Sequence, residues 1–340
     1  MTQLQSQSQT PSPPKRVWAS LITNMNYLPG LLTIHHSLYH PTPDTKANAA
    51  NNDTPPNEPS RYQFVALYTS AFPEEGLDIL RKRGIPVQLV SAVMPASTRE
   101  YTQDPRFADT WTKLVVFSLG QYERVVLLDA DIVVRRNMDE LMEIELDSKE
   151  KLEKGTATRV FAAAHACACN PMQKPHYPDD WIPENCAYTS QHKNPKNAQK
   201  VAPPPSSGVG LLNSGVLVIT PSEKAYSEIT SALQDTARIE GYSFPDQDLL
   251  SDVFKGRWVA IPYVYNALKT LRWETVHADI WRDEEVKAVH YIFAQKPWQE
   301  DIQPSDTLEN IEEPSRWWWE ANRGRQRLEI EKGISDGYSA

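Results

Sequence analysis

Four short apolar runs, at residues 17–23, 64–68, 87–90 and 125–128, alternate with stretches whose apolar residues fall at helical spacing. A run that is apolar at every position suits a strand covered on both faces. Parallel pairing of such strands requires a crossover, and the intervening segments can supply it. Leu31, Leu32, His35 and Leu38 mark the first helix, residues 73–84 the second, and Trp111, Leu114, Val115 and Leu119, closed by Gly120, the third. Strand and helix in alternation predict an α/β fold: a mostly parallel sheet with helices on both faces.

The second half is less regular. Residues 160–164 and 215–220 read as strands, 223–237 and 246–254 as helices, and a polar, Pro-rich loop spans 170–207. Residues 299–315 are acidic and loop-like, and 316–332, carrying Trp317, Trp318 and Trp319, read as a helix packed on the domain. Residues 1–15 are polar and Pro-rich and read as a disordered tail. Residues 40–60, with five prolines and almost nothing apolar, read as a flexible surface insertion. The parse is one catalytic-sized domain over 16–298 with an elaboration at 299–340.

With 35 Lys+Arg against 44 Asp+Glu the chain carries a charge of −9, which argues against a nucleic-acid partner. No run of ~18 uncharged apolar residues exists, so no transmembrane segment is expected. The first residues lack the apolar stretch of a signal peptide. Three cysteines cannot build a disulfide framework, and the reducing cytosol is the expected compartment.

Two carboxylates at Asp129 and Asp131 are the first candidate for chemistry. Acidic-x-acidic pairs occur six times in the chain, so the spacing alone means little. The flanks distinguish this pair: Val125–Leu128 precede it and Ile132–Val134 follow it. Carboxylates at the end of a buried strand are costly unless paired or metal-bound, and that edge of an α/β sheet is where ligands bind. If the backbone stays extended, residues 129 and 131 point to one side and share a cation. Hard oxygen donors suit Mg²⁺ or Mn²⁺ bridging a diphosphate; a solvated surface turn is the plain alternative.

His290 follows an apolar run at 286–289 and could add a neutral imidazole to such a site. Lys296 is a compact cation suited to phosphate oxygens, although by themselves the two read equally as a structural His and a surface Lys. Asn213-Ser214-Gly215 precedes an expected strand, where a turn is the ordinary reading. Asp246-Gln247-Asp248 opens an expected helix, where one Asp would be an N-cap and Gln247 could reach a ligand. There is no P-loop, no dinucleotide fingerprint at Gly208-Val209-Gly210, no GxSxG and no HExxH. Cys167, Cys169, Cys186, His165 and His176 share one segment, which permits a zinc site. The C-x-C spacing is tighter than usual zinc pairs, so structural thiols are the expectation.

Taken in order, LITNMNY at 21–27, WTKL at 111–114, LLDADIVV at 127–134, LNSGVLV at 212–218, FPDQDLL at 244–250 and HYIFAQKPW at 290–298 resemble the retaining glycosyltransferases of the glycogenin and galactinol synthase family. The resemblance covers roughly residues 17–298. Cys167-Ala168-Cys169, the prolines at 203–205, the segment 262–266 and the tryptophans at 317–319 lean toward the galactinol synthases. The resemblance implies a Rossmann-like, nucleotide-sugar-binding fold of GT-A type and a UDP-hexose donor used with Mn²⁺ or Mg²⁺. It implies that Leu21, Thr23, Asn24 and Tyr27 hold uridine and ribose. Asp129, Ala130 and Asp131 would hold the donor and, through the two carboxylates, the metal. His290 would be the third metal ligand and Lys296 would contact the diphosphate. Lys113, Asn213, Ser214, Asp246 and Gln247 would surround the sugar, with Lys113, Asp246 and Gln247 as the catalytic set.

The implied activity is transfer of galactose or glucose from UDP to a polyol or saccharide hydroxyl, with myo-inositol suggested by the closer resemblance. Retention can run through a covalent intermediate on Asp246 or by front-face attack with Gln247 supporting the sugar; the latter is preferred because an amide is a poor nucleophile. The family usually places a glycine between the metal His and the phosphate Lys, whereas here the stretch is Phe293-Ala294-Gln295. Within enzymes the alternative is a glycogenin-like self-glucosylating primer; a different class is a UDP-sugar-binding or scaffold protein that has lost catalysis, with Phe293 blocking the phosphate site. A peripheral membrane partner using the tryptophan cluster is a third. A homodimer is left open.

Overall fold

A computed structural model describes residues 15–41, 57–97, 110–303 and 306–339. Residues 1–14 of the expected tail and 42–56 of the expected insertion lie outside these.

Among the described residues, ten strands form two sheets. β1 (Arg16–Ile22), β2 (Gln63–Tyr68), β3 (Val87–Leu89), β4 (Arg124–Leu128), β6 (Phe161–His165), β7 (Leu212–Ile219) and β8 (Trp258–Ala260) make the larger, in the order β3-β2-β1-β4-β7-β6-β8. β1 pairs in parallel with β2 and β4, and β2 with β3, whereas β7 runs antiparallel to both β4 and β6. The sheet is therefore mostly parallel with one reversed strand. The uniformly apolar runs follow from its two covered faces. Val17, Ala19, Val65, Val125 and Leu127 enter one core, while Trp18, Phe64, Ala66, Val126 and Leu128 enter the other.

α1 (Leu28–Tyr39) and α2 (Glu74–Lys82) lie where helical spacing placed them. Three segments differ. Residues 110–118 form a 3-10 helix, not an α-helix. Trp111 to Phe117 are all buried there, and Thr110, Thr112, Val115 and Val116 are poor α-formers. The helix expected over 223–237 is two, α4 (Glu223–Ala232) and α5 (Thr236–Glu240), because the Asp235 carboxylate accepts from Arg238 N and starts the second. Asn213-Ser214-Gly215 lies inside β7 and not before it, because β7 is flanked on both sides. Its register on β6 jumps from Ala163↔Leu217 to Ala164↔Asn213, a bulge that re-aims these residues.

The smaller sheet, β5 (Ile132–Val134), β10 (Ala288–His290) and β9 (Ala267–Leu268), starts immediately beyond the carboxyl end of β4. The chain passes from one sheet to the other through Asp129-Ala130-Asp131. These residues turn, with Ile132 N donating to Asp129 O at 3.2 Å, where an extended path was expected. α1 clamps this turn: a Cβ on Gly30 would stand 2.0 Å from Ala130 O.

α3 (Lys149–Glu153) follows β5, α6 (Pro245–Val253) precedes β8, and α7 (Ser315–Glu331) closes the chain. Trp317 and Trp318 of α7 are buried in a third core with the loop after β6 and the smaller sheet. The Arg135 guanidinium lies 3.6 Å from the Trp317 ring centroid. Trp317 and Trp318 are thus committed to the interior, and Trp319 packs half-buried against the same core. No helix among the described residues is long and apolar enough to cross a membrane.

Candidate active site

A cavity of about 410 Å³ opens at the carboxyl ends of β1 and β4, between the two sheets. Leu21 lines it from the end of β1, and Thr23, Asn24 and Tyr27 from the segment joining β1 to α1. Asn24 holds that segment in shape by accepting from Asn26 N at 3.1 Å. Asp129, Ala130 and Asp131 line it from the inter-sheet turn, Lys113 from the 3-10 helix, Asn213 and Ser214 from the β7 bulge, Asp246 and Gln247 from α6, and His290 and Lys296 from β10 and the loop beyond. The residues that the resemblance implied for donor, metal and sugar thus surround one space, whereas Cys169, Cys186, His165, His176 and Asp248 are not among those lining it.

The ladder brings His290 to the carboxylates. β10 pairs antiparallel with β5, His290 opposite Ile132, and Tyr291 N donates to Asp131 O at 2.9 Å. His290 Nε2 then sits 3.3 Å from Asp131 Oδ1. One ligand atom each from Asp129, Asp131 and His290 lie within 4.8 Å of one another. The imidazole's other nitrogen, Nδ1, is 2.9 Å from Asn266 Oδ1. An amide oxygen only accepts, so Nδ1 donates to Asn266, which leaves Nε2 as the nitrogen facing the carboxylates and available to a cation. Asn266 is itself fixed, donating from Nδ2 to Asn213 Oδ1 at 2.7 Å. Asn213 Nδ2 donates in turn to Gln247 Oε1 at 2.7 Å. Two carboxylates and a correctly tautomerised imidazole are the donor set of a hard divalent cation such as Mn²⁺ or Mg²⁺.

Two buried lysines balance the charge. Lys296 Nζ donates to Asp131 Oδ2 at 2.5 Å and to Tyr291 O at 2.8 Å. Lys113 Nζ reaches both oxygens of Asp129, at 2.7 and 2.9 Å, and stands 3.3 Å from Asp246 Oδ2. Burial disfavours the charge on Lys113, but Asp129 and Asp246 outweigh it and raise its pKa. Burial likewise opposes ionisation of Asp131, and Lys296 and His290 outweigh it, holding Asp131 well below the usual carboxylate range. Asp246 is not the N-cap of α6. Phe244 occupies that position without a side-chain cap, Asp248 accepts from Ser243 N and Phe244 N, and Asp246 accepts from Ser214 Oγ inside the site.

The stretch without glycine carries a signature of its own: Phe293 has φ +78°, in the region glycine favours. Its ring lies 4.6 Å from Lys174 Nζ, at the cavity wall.

Residues 19–302 match the model of glycosyl transferase family 8. The chain belongs to this family. Galactinol synthase 1 of Ajuga reptans is 27% identical over 268 residues, spanning 77% of this chain and 72% of that one. Galactinol synthase 4 of Arabidopsis thaliana is 26% identical over 268 residues with the same shares. Among solved structures, the Streptococcus pneumoniae glycosyltransferase GlyE superposes with a TM-score of 0.53 at 15% identity, over 95% of this chain and 65% of that one. LgtC superposes with 0.53 at 16% identity, over 90% and 94%. The fold is that of the GT-A glycosyltransferases, and family 8 membership makes the chain a glycosyltransferase.

Asn266 escaped the sequence reading. Its partners lie 24 and 53 residues away, so nothing in its neighbourhood marked it; only the tautomer requirement of His290, once that residue was suspected, asked for an acceptor. His277 escaped as well, as a lone histidine far from the cysteines it meets.

Proposed function

We propose that this family 8 glycosyltransferase transfers a hexose, galactose in the first instance, from UDP to a cyclitol hydroxyl such as that of myo-inositol, with a divalent cation held by Asp129, Asp131 and His290. The observation that carries the reading is the convergence of these three donors with Lys296 at the mouth of one cavity. The galactinol synthases among the relatives support the choice of donor sugar and acceptor.

A divalent cation bound there supplies Lewis-acid stabilisation of the departing diphosphate. The protein's own part is arranged around it. Leu21, Thr23, Asn24 and Tyr27 offer the uridine and ribose an apolar wall with short polar groups. Lys296, which holds Asp131 beside the place a cation would occupy, would be near enough to the diphosphate to neutralise charge that grows as the anomeric C–O bond breaks. Asp246 is held by Lys113 and Ser214, and Gln247 by Asn213, so both are positioning groups for sugar hydroxyls and not free nucleophiles. Retention then follows from front-face attack. The acceptor oxygen bonds to the anomeric carbon as the bond to the diphosphate oxygen breaks, and that oxygen receives the acceptor's proton.

The test is a panel of UDP-sugars and acceptors with and without Mn²⁺, read by UDP release and by intact mass. UDP release requiring UDP-galactose, myo-inositol and Mn²⁺ together is expected. Hexoses accumulating on the protein itself would make it a primer, and UDP binding without any release would make it a binding protein; either overturns the reading.

A further inference from the structure

A second donor cluster lies outside the machinery just described. Cys167 and Cys169 leave the end of β6 in an irregular stretch, Cys186 precedes a 3-10 turn in the Pro-rich loop, and His277 comes from the segment after β9. Sequence separations of 91 and 108 residues are closed by Cys186 Sγ and Cys169 Sγ, each 3.2 Å from His277 Nε2. One ligand atom from each of the four residues lies within 4.8 Å of all the others. All three thiols are free, all three are buried, and His277 is 1% exposed. His277 Nδ1 is 2.8 Å from His192 Nε2, so the imidazole has an outer partner for its second nitrogen while Nε2 faces the sulfurs.

We propose that Cys167, Cys169, Cys186 and His277 bind a structural Zn²⁺. Three thiolates and one imidazole are the Cys₃His set of closed tetrahedral sites, whose ligand atoms stand about 3.5–3.8 Å apart at Zn–S ~2.3 Å and Zn–N ~2.0 Å. The cluster needs a contraction of no more than an ångström or so in its longest separation to meet that geometry. The tight C-x-C spacing, which argued for plain thiols, is no obstacle, because the irregular backbone at 166–170 lets both sulfurs face one point. With Nε2 on the metal, His277 Nδ1–H would donate to His192 Nε2, the kind of outer hydrogen bond that orients metal-bound histidines. The soft sulfur set and the hard Asp129, Asp131, His290 set select different metals. All four donors come from the protein, so the site is closed and its role is to fasten chain.

The chain it fastens matters. Residues 166–210 contain only short 3-10 turns, yet Cys167, Asn170, Lys174, Tyr177 and Trp181 of this loop form a wall of the active-site cavity. A cross-link from the loop to His277 fixes that wall where β-ladders do not. The inference stands whether or not the donor is UDP-galactose.

Metal analysis of the purified full chain by mass spectrometry tests it. One zinc per chain is expected, retained through EDTA dialysis and released when a mercurial titrates the thiols. Cys186→Ser and His277→Ala should lose at least nine-tenths of the zinc and melt at lower temperature. His277→Cys should keep it, showing that loss in the alanine variant is loss of a ligand and not misfolding. Asp131→Ala should also keep it, separating the site from the catalytic cation. Zinc-free protein whose melting temperature is unchanged by added zinc, or three thiols that react freely in native protein, would overturn the proposal.

Discussion

Gly215 and His290 touch so closely that a Cβ on the glycine would stand 2.4 Å from His290 Cε1. The β7 backbone is therefore the back wall of the imidazole. Gly215→Ala must push the ring off that wall and away from Asp131. We expect the variant to fold, because Gly215 lies in the bulge where the β6 ladder is already interrupted. Mn²⁺ affinity, followed by electron paramagnetic resonance titration, should fall by about tenfold or more. An unchanged affinity would mean that His290 is not a ligand.

Asn266 acts on the same ring from the other side. Asn266→Ala removes the acceptor that keeps the proton on Nδ1, and leaves Asn213 Oδ1 with one donor fewer. Mn²⁺ affinity should weaken by about 10–100-fold, the range for outer partners of metal-bound histidines. A purely structural asparagine would lower stability without weakening Mn²⁺ binding to the folded protein.

Lys296 makes opposite predictions for metal and nucleotide. Without ligand its ammonium occupies an oxygen of Asp131, the carboxylate a cation would need. Lys296→Met removes the competitor, so Mn²⁺ alone should bind several-fold more tightly. UDP in the presence of Mn²⁺ should bind more weakly, by about tenfold for a lost charge-assisted contact. Calorimetric titration of each ligand separately reads both signs. Equal shifts in one direction would reject the exchange.

The pH dependence of stability should carry a histidine signature from α1. Burial, reinforced by His40, lowers His35 to about 4 and His36 to about 3. Both lie below the unfolded value near 6.5, so the unfolded chain binds the extra protons. The contribution is complete above pH ~6.5 and is lost as pH falls toward the folded values, with a slope of up to ~1.4 kcal/mol per pH unit for each proton. His35→Gln should make denaturation midpoints measured from pH 7 to 4 fall less steeply. An unaltered slope would show that His35 is not masked in the native state.

Local patterns carried much of the architecture. The apolar runs were legible as two-face-covered strands because a mostly parallel sheet buries both sides of Val17–Leu21 and Val125–Leu128 alike. Helical spacing located α1, α2 and α6 for the same kind of reason, since the period reports which face meets the core. Where a segment was buried all round, as at 110–118, apolar spacing marked a helix but could not tell its 3-10 type. The Asp129/Asp131 pair stood out only through its apolar flanks, and its turned backbone was decided by the passage from one sheet to the other and by Gly30 beneath it.

What the amino-acid order by itself determined was which residue types stood at which element ends: carboxylates after β4, an imidazole at the end of β10, thiols after β6. Only the folded chain decided which of them meet. The β5–β10 register puts His290 on Asp131, the β7 bulge turns Asn213 toward Asn266, and the loop after β9 carries His277 to cysteines some hundred residues behind it. Hydrogen bonds and metal bonds depend on separations of a few ångströms. Such separations between distant residues are set by ladder register and packing, which no local period encodes.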